Sequence, residues 1–140
     1  MPRRTLRPES LGFQPRPSYP YSPGATWSGL VVTAGQVAWD GSGRLVGVGD
    51  VAAQARQALA NVESVLAEAG ATLDDVLKCT VYLADMGSFP AMNAVFAEVF
   101  PTDPPARTTV QALLAEPEML VEIEAIAYVD RGDDDRPPGP

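Results

Sequence analysis

The sequence predicts an α+β fold: a mixed sheet with two helices packed on one face. Three observations carry this. Strand-length runs rich in β-branched and apolar residues occur at 30–37, 76–84, 108–114 and 120–129. Two intervening segments carry apolar residues at three- and four-residue spacing. The resulting order is strand, helix, strand, helix, strand, strand, with helices enough for one sheet face only. The other face also carries apolar residues and needs a partner, which points to oligomerisation through the sheet.

Each element has its own local cause. Short strands are expected around Thr5–Leu6 and Pro20–Tyr21. Leu30 to Val37 (LVVTAGQV) reads as a strand, and Asp40-Gly41-Ser42-Gly43 follows as a turn. Asp50 caps a helix running to Ala69, with Val51, Ala55, Ala58, Leu59, Val62, Val65 and Leu66 on its apolar face. Gly70 ends it. Thr72 with Asp75 reads as a capping box, and the strand Val76–Ala84 follows. Ser88 is expected to cap the second helix, with Pro90 in its first turn. Phe89, Met92, Phe96 and Phe100 form its stripe, read as core, and Pro101 stops it. Thr108–Leu114 and Leu120–Val129 are the last strands, joined by a turn containing Pro117.

Composition bounds the function. A chain of 140 residues with 46% apolar content fits one domain over 1–130. The tail 131–140 (RGDDDRPPGP) is charged, rich in Pro and Gly, and expected to be disordered. No run approaches the roughly 20 apolar residues of a membrane helix, and the polar N-terminus has no signal-peptide pattern. The single cysteine, Cys79, excludes an intrachain disulfide and reads as a packed core thiol in a reducing, cytoplasmic setting. There is no histidine, which removes His-based triads, zinc sites and general bases. The net charge of −8, with cations clustered at the ends, argues against nucleic acid as a partner.

Two features stand out chemically. Between Pro17 and Val129 only Arg44, Arg56, Lys78 and Arg107 face thirteen carboxylates. Arg107 follows Pro104-Pro105, which fixes its entry geometry. A fixed guanidinium fork suits bidentate capture of a carboxylate; the plainer reading is a surface arginine in an ion pair. In the last strand, Glu122 and Glu124 share a face with Ile126 and Tyr128. Two carboxylates in so apolar a run suggest that at least one is held partly buried for a purpose. If the last two strands pair as a hairpin, Arg107 approaches Tyr128, and Arg107 and Glu122 meet only across a subunit boundary or through the sheet twist.

The chain resembles the Rid (RidA/YjgF) family of enamine and imine deaminases from about Pro20 to Ala127. The resemblance rests on Pro20-Tyr21-Ser22, Thr33-Ala34-Gly35-Gln36, Gln57 to Val62 (QALANV) and Ala69-Gly70-Ala71 followed by Leu73 to Lys78. Asp85-Met86 with Phe89 and Asn93, Pro105-Ala106-Arg107 and Glu122 to Ala127 (EIEAIA) complete it. It implies a chorismate-mutase-like fold and a homotrimer whose sheets form a central barrel, with clefts between subunits. It implies that Arg107 binds the substrate carboxylate, that Glu122 orients the attacking water and that Tyr21 lines the pocket. Asn93 joins the substrate-binding set, and the backbone amides near Gly35 and Thr109 complete it. No cofactor and no metal is implied. Three departures stand against the family pattern: Ala34 where many members have Ser, Thr109 where many have Cys, and Leu114-Ala115-Glu116-Pro117 in place of Leu-Pro. Trp39 is also unexpected; it reads as a packing indole before a substrate-narrowing pocket wall.

The function so implied is hydrolysis of 2-imino acids or enamines such as 2-aminoacrylate, releasing ammonia and a 2-keto acid. Arg107 holds the carboxylate, amides near Gly35 supply further donors, and Glu122 positions water and accepts its proton. The alternatives are a non-catalytic trimeric ligand binder or regulator, an RNA-cleaving role opposed by the charge and the missing histidine, and an enzyme for a larger imine.

Overall fold

The computed structural model describes residues 3–12, 15–16 and 18–130. The expectation of a disordered tail over 131–140 lies outside the described residues. Six strands form one mixed sheet: β1 (Arg4–Leu6), β2 (Gly24–Trp27), β3 (Leu30–Thr33), β4 (Val76–Leu83), β5 (Ala106–Gln111) and β6 (Val121–Tyr128), in the order β1-β2-β3-β6-β4-β5. Two helices, α1 (Val51–Glu68) and α2 (Phe89–Val99), pack on one face.

The helices begin and end as their sequences dictate, with one exception. Asp50 Oδ1 accepts from the Ala53 amide at 3.1 Å and caps α1. Gly70, at φ 74°, lets the chain leave the helix. The Thr72–Asp75 capping box forms on a short 3-10 turn. Ser88 makes no side-chain cap on α2, contrary to expectation. A 3-10 turn, Met86–Ser88, precedes α2, and Asp85 caps that turn through the Gly87 amide at 2.7 Å.

Three strand expectations need correction. No strand forms at Pro20–Tyr21; prolines at 20 and 23 delay pairing until Gly24. The strand from Leu30 stops at Thr33 rather than Val37. Val32 pairs with Ile126 and Gln36 with Ile123, so four steps on one strand match three on the other. That extra residue is a bulge. The last two strands form no hairpin. β5 runs parallel to β4 through the α2 crossover, while β6 inserts antiparallel between β3 and β4.

The core lies between helices and sheet. Leu59, Val62, Val65 and Leu66 of α1, and Met92 and Val95 of α2, meet Val81, Leu83, Ile123 and Ala125 of the sheet. Cys79 is fully buried there, and burial pushes its thiol up to about 11, so it is a core residue and not a nucleophile. The opposite sheet face leaves Leu30, Val32, Val110, Ile126 and Tyr128 exposed. Among the described residues no helix is long and apolar enough to cross a membrane.

Candidate functional site

Strand alternation assigns the two key side chains to opposite sheet faces. Arg107 is the register partner of Cys79, on the helix side. Glu122 is the partner of Tyr82, on the open side. β4 separates their strands. Glu122 aligns through Tyr82 with Val110, three residues beyond Arg107. Two strand spacings of about 4.8 Å and three rises of about 3.3 Å then separate the backbones. One chain does not bring these two groups together.

Arg107 is half-buried and fixed. Its guanidinium carbon stands 4.9 Å from the Phe96 ring centroid and 5.5 Å from that of Phe89. One terminal nitrogen donates to Asn93 Oδ1 at 2.7 Å; the other contacts Met92 Sδ at 3.8 Å. No carboxylate pairs with it among the described residues; the ion pairs there are Arg16–Glu116 and Arg56–Glu98. The plainer reading of Arg107, a surface arginine in an ion pair, is therefore not what the structure has. The phenylalanines read as core do pack in the core, and two of them also carry this cation. A cleft of about 410 Å³ opens beside it, lined by Asn93, Ala97, Pro101, Pro104 and Pro105 among others. Thr109 follows on the same face, and its buried hydroxyl has no hydrogen-bond partner among the described residues. An orphaned buried hydroxyl beside an unpaired guanidinium is suited to a ligand oxygen.

Glu122 occupies a second cavity, of about 100 Å³, with Tyr21, Gly35, Trp39, Ala115 and Met119 in its walls. Burial, and then the Glu124 charge, push its carboxyl above the ordinary range. The bulge sets this contact. Gln36 and Ile123 exchange backbone hydrogen bonds of 2.8 and 2.9 Å, which bring Gly35 against the Glu122 side chain. The Thr33 hydroxyl fills the gap by accepting from the Ala125 amide at 3.0 Å. The Gly35 N–H has no acceptor among the described residues. Tyr21 is raised by burial and by the nearby Glu122 charge. Glu124 differs from Glu122: it accepts from the Tyr82 hydroxyl at 2.6 Å.

The structure thus gathers Tyr21, Gly35 and Glu122 at one site, and Asn93, Arg107 and Thr109 at another. Trp39, read first as a packing indole, lines the Glu122 cavity, and so does Ala115 of the altered turn. Sequence reasoning missed Met119, Gln54 and Asn61. The only signal for Asn61 was its place in the QALANV motif.

The profile of the endoribonuclease L-PSP family matches residues 12–129. A 3-aminoacrylate deaminase, RutC, of Acinetobacter baylyi is 38% identical over 129 residues, covering 92% of this chain and all of that protein. The chain belongs to the Rid/YjgF family. A RutC family protein of Pyrococcus horikoshii is 42% identical over 114 residues, covering 81% of this chain and 90% of the relative. The crystal structure of the YjgF gene product of E. coli superposes with a TM-score of 0.80 at 32% identity, covering 89% and 98% of the two chains. Within this Rid chain, the α+β architecture with two helices on a mixed sheet is the one its solved neighbours share.

Proposed function

We propose that this Rid chain hydrolyses 2-imino acids and their enamine tautomers, at a site formed by the Arg107 face of one copy and the Glu122 face of its neighbour. The observation that carries the reading is Arg107. A guanidinium pinned by Asn93, set against two phenyl rings and with no carboxylate partner among the described residues is preorganised for a ligand carboxylate. The deaminase relative of Acinetobacter baylyi supports the reaction class.

The chemistry needs little beyond positioning. Arg107 takes the carboxylate, with the Thr109 hydroxyl as a further donor. Water adds to the imine carbon; Glu122 accepts its proton as the C–O bond forms. That proton passes to nitrogen to give the carbinolamine; its hydroxyl then yields the second proton, through Glu122, to the amine nitrogen as the C–N bond breaks, and ammonia leaves with a 2-keto acid behind. A carboxylate whose pKa is raised by burial and by the Glu124 charge is a better proton acceptor than an ordinary one, which suits this cycle. Held geometry supplies most of the acceleration.

The test is the rate of keto-acid release from 2-aminoacrylate generated in situ. Arg107→Lys keeps the charge and loses the fork. The loss of about 2–5 kcal/mol typical of a desolvated charge pair corresponds to roughly 30-fold or more in kcat/KM. Circular dichroism should stay native. A lysine variant as fast as the wild type would remove Arg107 from the site.

A further inference from the structure

β1 presents a row of side chains to the open sheet face that the deaminase reading does not use. Leu6 is fully buried against the helices, and Arg4 on the same side reaches the Glu68 carbonyl of α1 at 3.5 Å. Alternation therefore turns Arg3, Thr5 and Arg7 to the other face. There they line a cavity of about 440 Å³ together with Tyr19, Tyr21 and Ser22. We propose that this cavity is a second ligand site, and that it takes a small phosphomonoester carrying a flat ring.

The charges name the anion. The chain is acidic, with a net charge of −8, yet two guanidiniums and no carboxylate line this cavity. Neither arginine has a carboxylate partner among the described residues, where the ion pairs are Arg16–Glu116 and Arg56–Glu98. Arg7 is aimed: one terminal nitrogen donates to Ser22 Oγ at 3.0 Å. Arg3 and Arg7 stand four residues apart, roughly 13 Å at about 3.3 Å per strand residue. Their long side chains can close on the middle of that span, where Thr5 lies. A carboxylate offers two oxygens in one plane, and one guanidinium fork satisfies it. A phosphomonoester offers three terminal oxygens and close to two charges at neutral pH. It matches two forks and the hydroxyls of Thr5 and Ser22.

The tyrosines name the rest of the ligand. Tyr19 and Tyr21 are 47% and 46% exposed, so each offers aromatic surface on which a flat ring can stack. Tyr19 is held for this: its amide donates to the Arg16 carbonyl at 2.8 Å, and its ring centroid lies 5.9 Å from the Arg16 guanidinium carbon. Both tyrosines also line the Glu122 cavity, but Glu122, Asn93, Arg107 and Thr109 do not line this one. The volume falls within the roughly 300–1,000 Å³ of small-molecule sites, enough for a ring as well as a phosphate.

The experiment is calorimetric titration of the full chain with phenyl phosphate and with inorganic phosphate. It reads binding rather than turnover, so its failure leaves the hydrolase reading standing. Phenyl phosphate should bind about tenfold tighter than inorganic phosphate, the scale of one stacked ring. Arg7→Ala should weaken both probes by about tenfold or more, the scale of a hydrogen bond to a charged group. Arg7→Lys should recover only part of that, because the fork is lost. Arg3→Ala repeats the test at a residue outside the strand and should also weaken both. Tyr19→Ala should weaken phenyl phosphate alone. Arg107→Lys and the exposed control Arg44→Ala should change neither. Absence of binding, or equal affinity for the two probes, overturns the proposal. A loss in Arg44→Ala as large as in Arg7→Ala also overturns it, since diffuse charge attraction would then explain the binding. So does a loss confined to Arg107→Lys, which would put the phosphate at the Arg107 face.

Discussion

A Cβ placed on Gly35 would lie 2.8 Å from the Glu122 carboxyl carbon and 2.9 Å from Oε1. Its nearest obstacle is therefore the working end of a flexible side chain, not backbone. Gly35→Ala should leave the fold intact and displace the carboxylate: kcat falls by about tenfold or more while Tm changes little, since a sub-ångström misplacement at the chemistry is costly. A large Tm drop with unchanged kcat would refute that division. Glu122→Gln should lower kcat more than it raises KM, because capture rests on Arg107. The pH profile separates the two glutamates. Glu122 is raised by burial and by the Glu124 charge, so the acidic limb of kcat/KM should lie above the ordinary glutamate range. Glu124→Gln removes that charge and should move the limb to lower pH. The stability sign follows from the same shift. A folded pKa above the unfolded one stabilises at low pH, and the contribution is lost as pH rises through the raised value. Glu122→Gln should therefore be relatively more stable than wild type near neutrality and lose that advantage in acid. A pH-independent Tm difference would argue against it. The proposal of Glu122 rather than Glu124 for water rests on a motif; alternation alone could not separate them. The structure gives the physical difference, because Tyr82 already occupies Glu124.

At the scale of elements, sequence was most legible where one local rule acts alone. The α1 cap at Asp50, the stop at Gly70 and the Thr72–Asp75 box all form as read. It failed where pairing partners decide. Nothing in Thr108 to Val129 says that β6 leaves its neighbour in sequence and inserts between β3 and β4; the β4-α2-β5 crossover claims the edge instead. The turn into β3 was missed for a local reason. Ser28 and Gly29 both take positive φ, 47° and 86°, and close a two-residue hairpin between Trp27 and Leu30. Gln54 and Asn61 were also illegible, since a polar residue inside a helical stretch looks solvent-facing until its partners are known. Gln54 is fully buried and holds Gly47, Glu118 and Leu120 at once. Gln54→Ala leaves those groups unpaired in the interior, at roughly 1–3 kcal/mol for a buried unsatisfied group. Thermal denaturation should show a loss on that scale. A change under about 0.5 kcal/mol, the usual surface value, would mean that water replaces the amide.

For the whole molecule, one chain is half an argument. Arg107 and Glu122 occupy opposite faces of one sheet with β4 between their strands, so no twist of that sheet unites them. The helices cover only one face. The other leaves Val32, Ile126 and Tyr128 between 38% and 49% exposed on its two central strands. Central strands are where a lone domain buries its apolar side chains, so this face is expected to meet copies of itself. A closed ring of three would pack the sheets about one axis and bring one chain's Glu122 side toward the next chain's Arg107 edge. The expected mass by light scattering in dilute buffer is three times the 14.8 kDa chain. Complementation tests the shared site more sharply than mass does. Arg107→Lys and Glu122→Gln chains, each inactive alone, should recover part of the activity when denatured and refolded together, because some interfaces then combine two intact faces. With random mixing, about a quarter of sites regain both groups. A trimer without recovery would refute the intersubunit site; recovery without a trimer would keep a shared site and refute the ring of three.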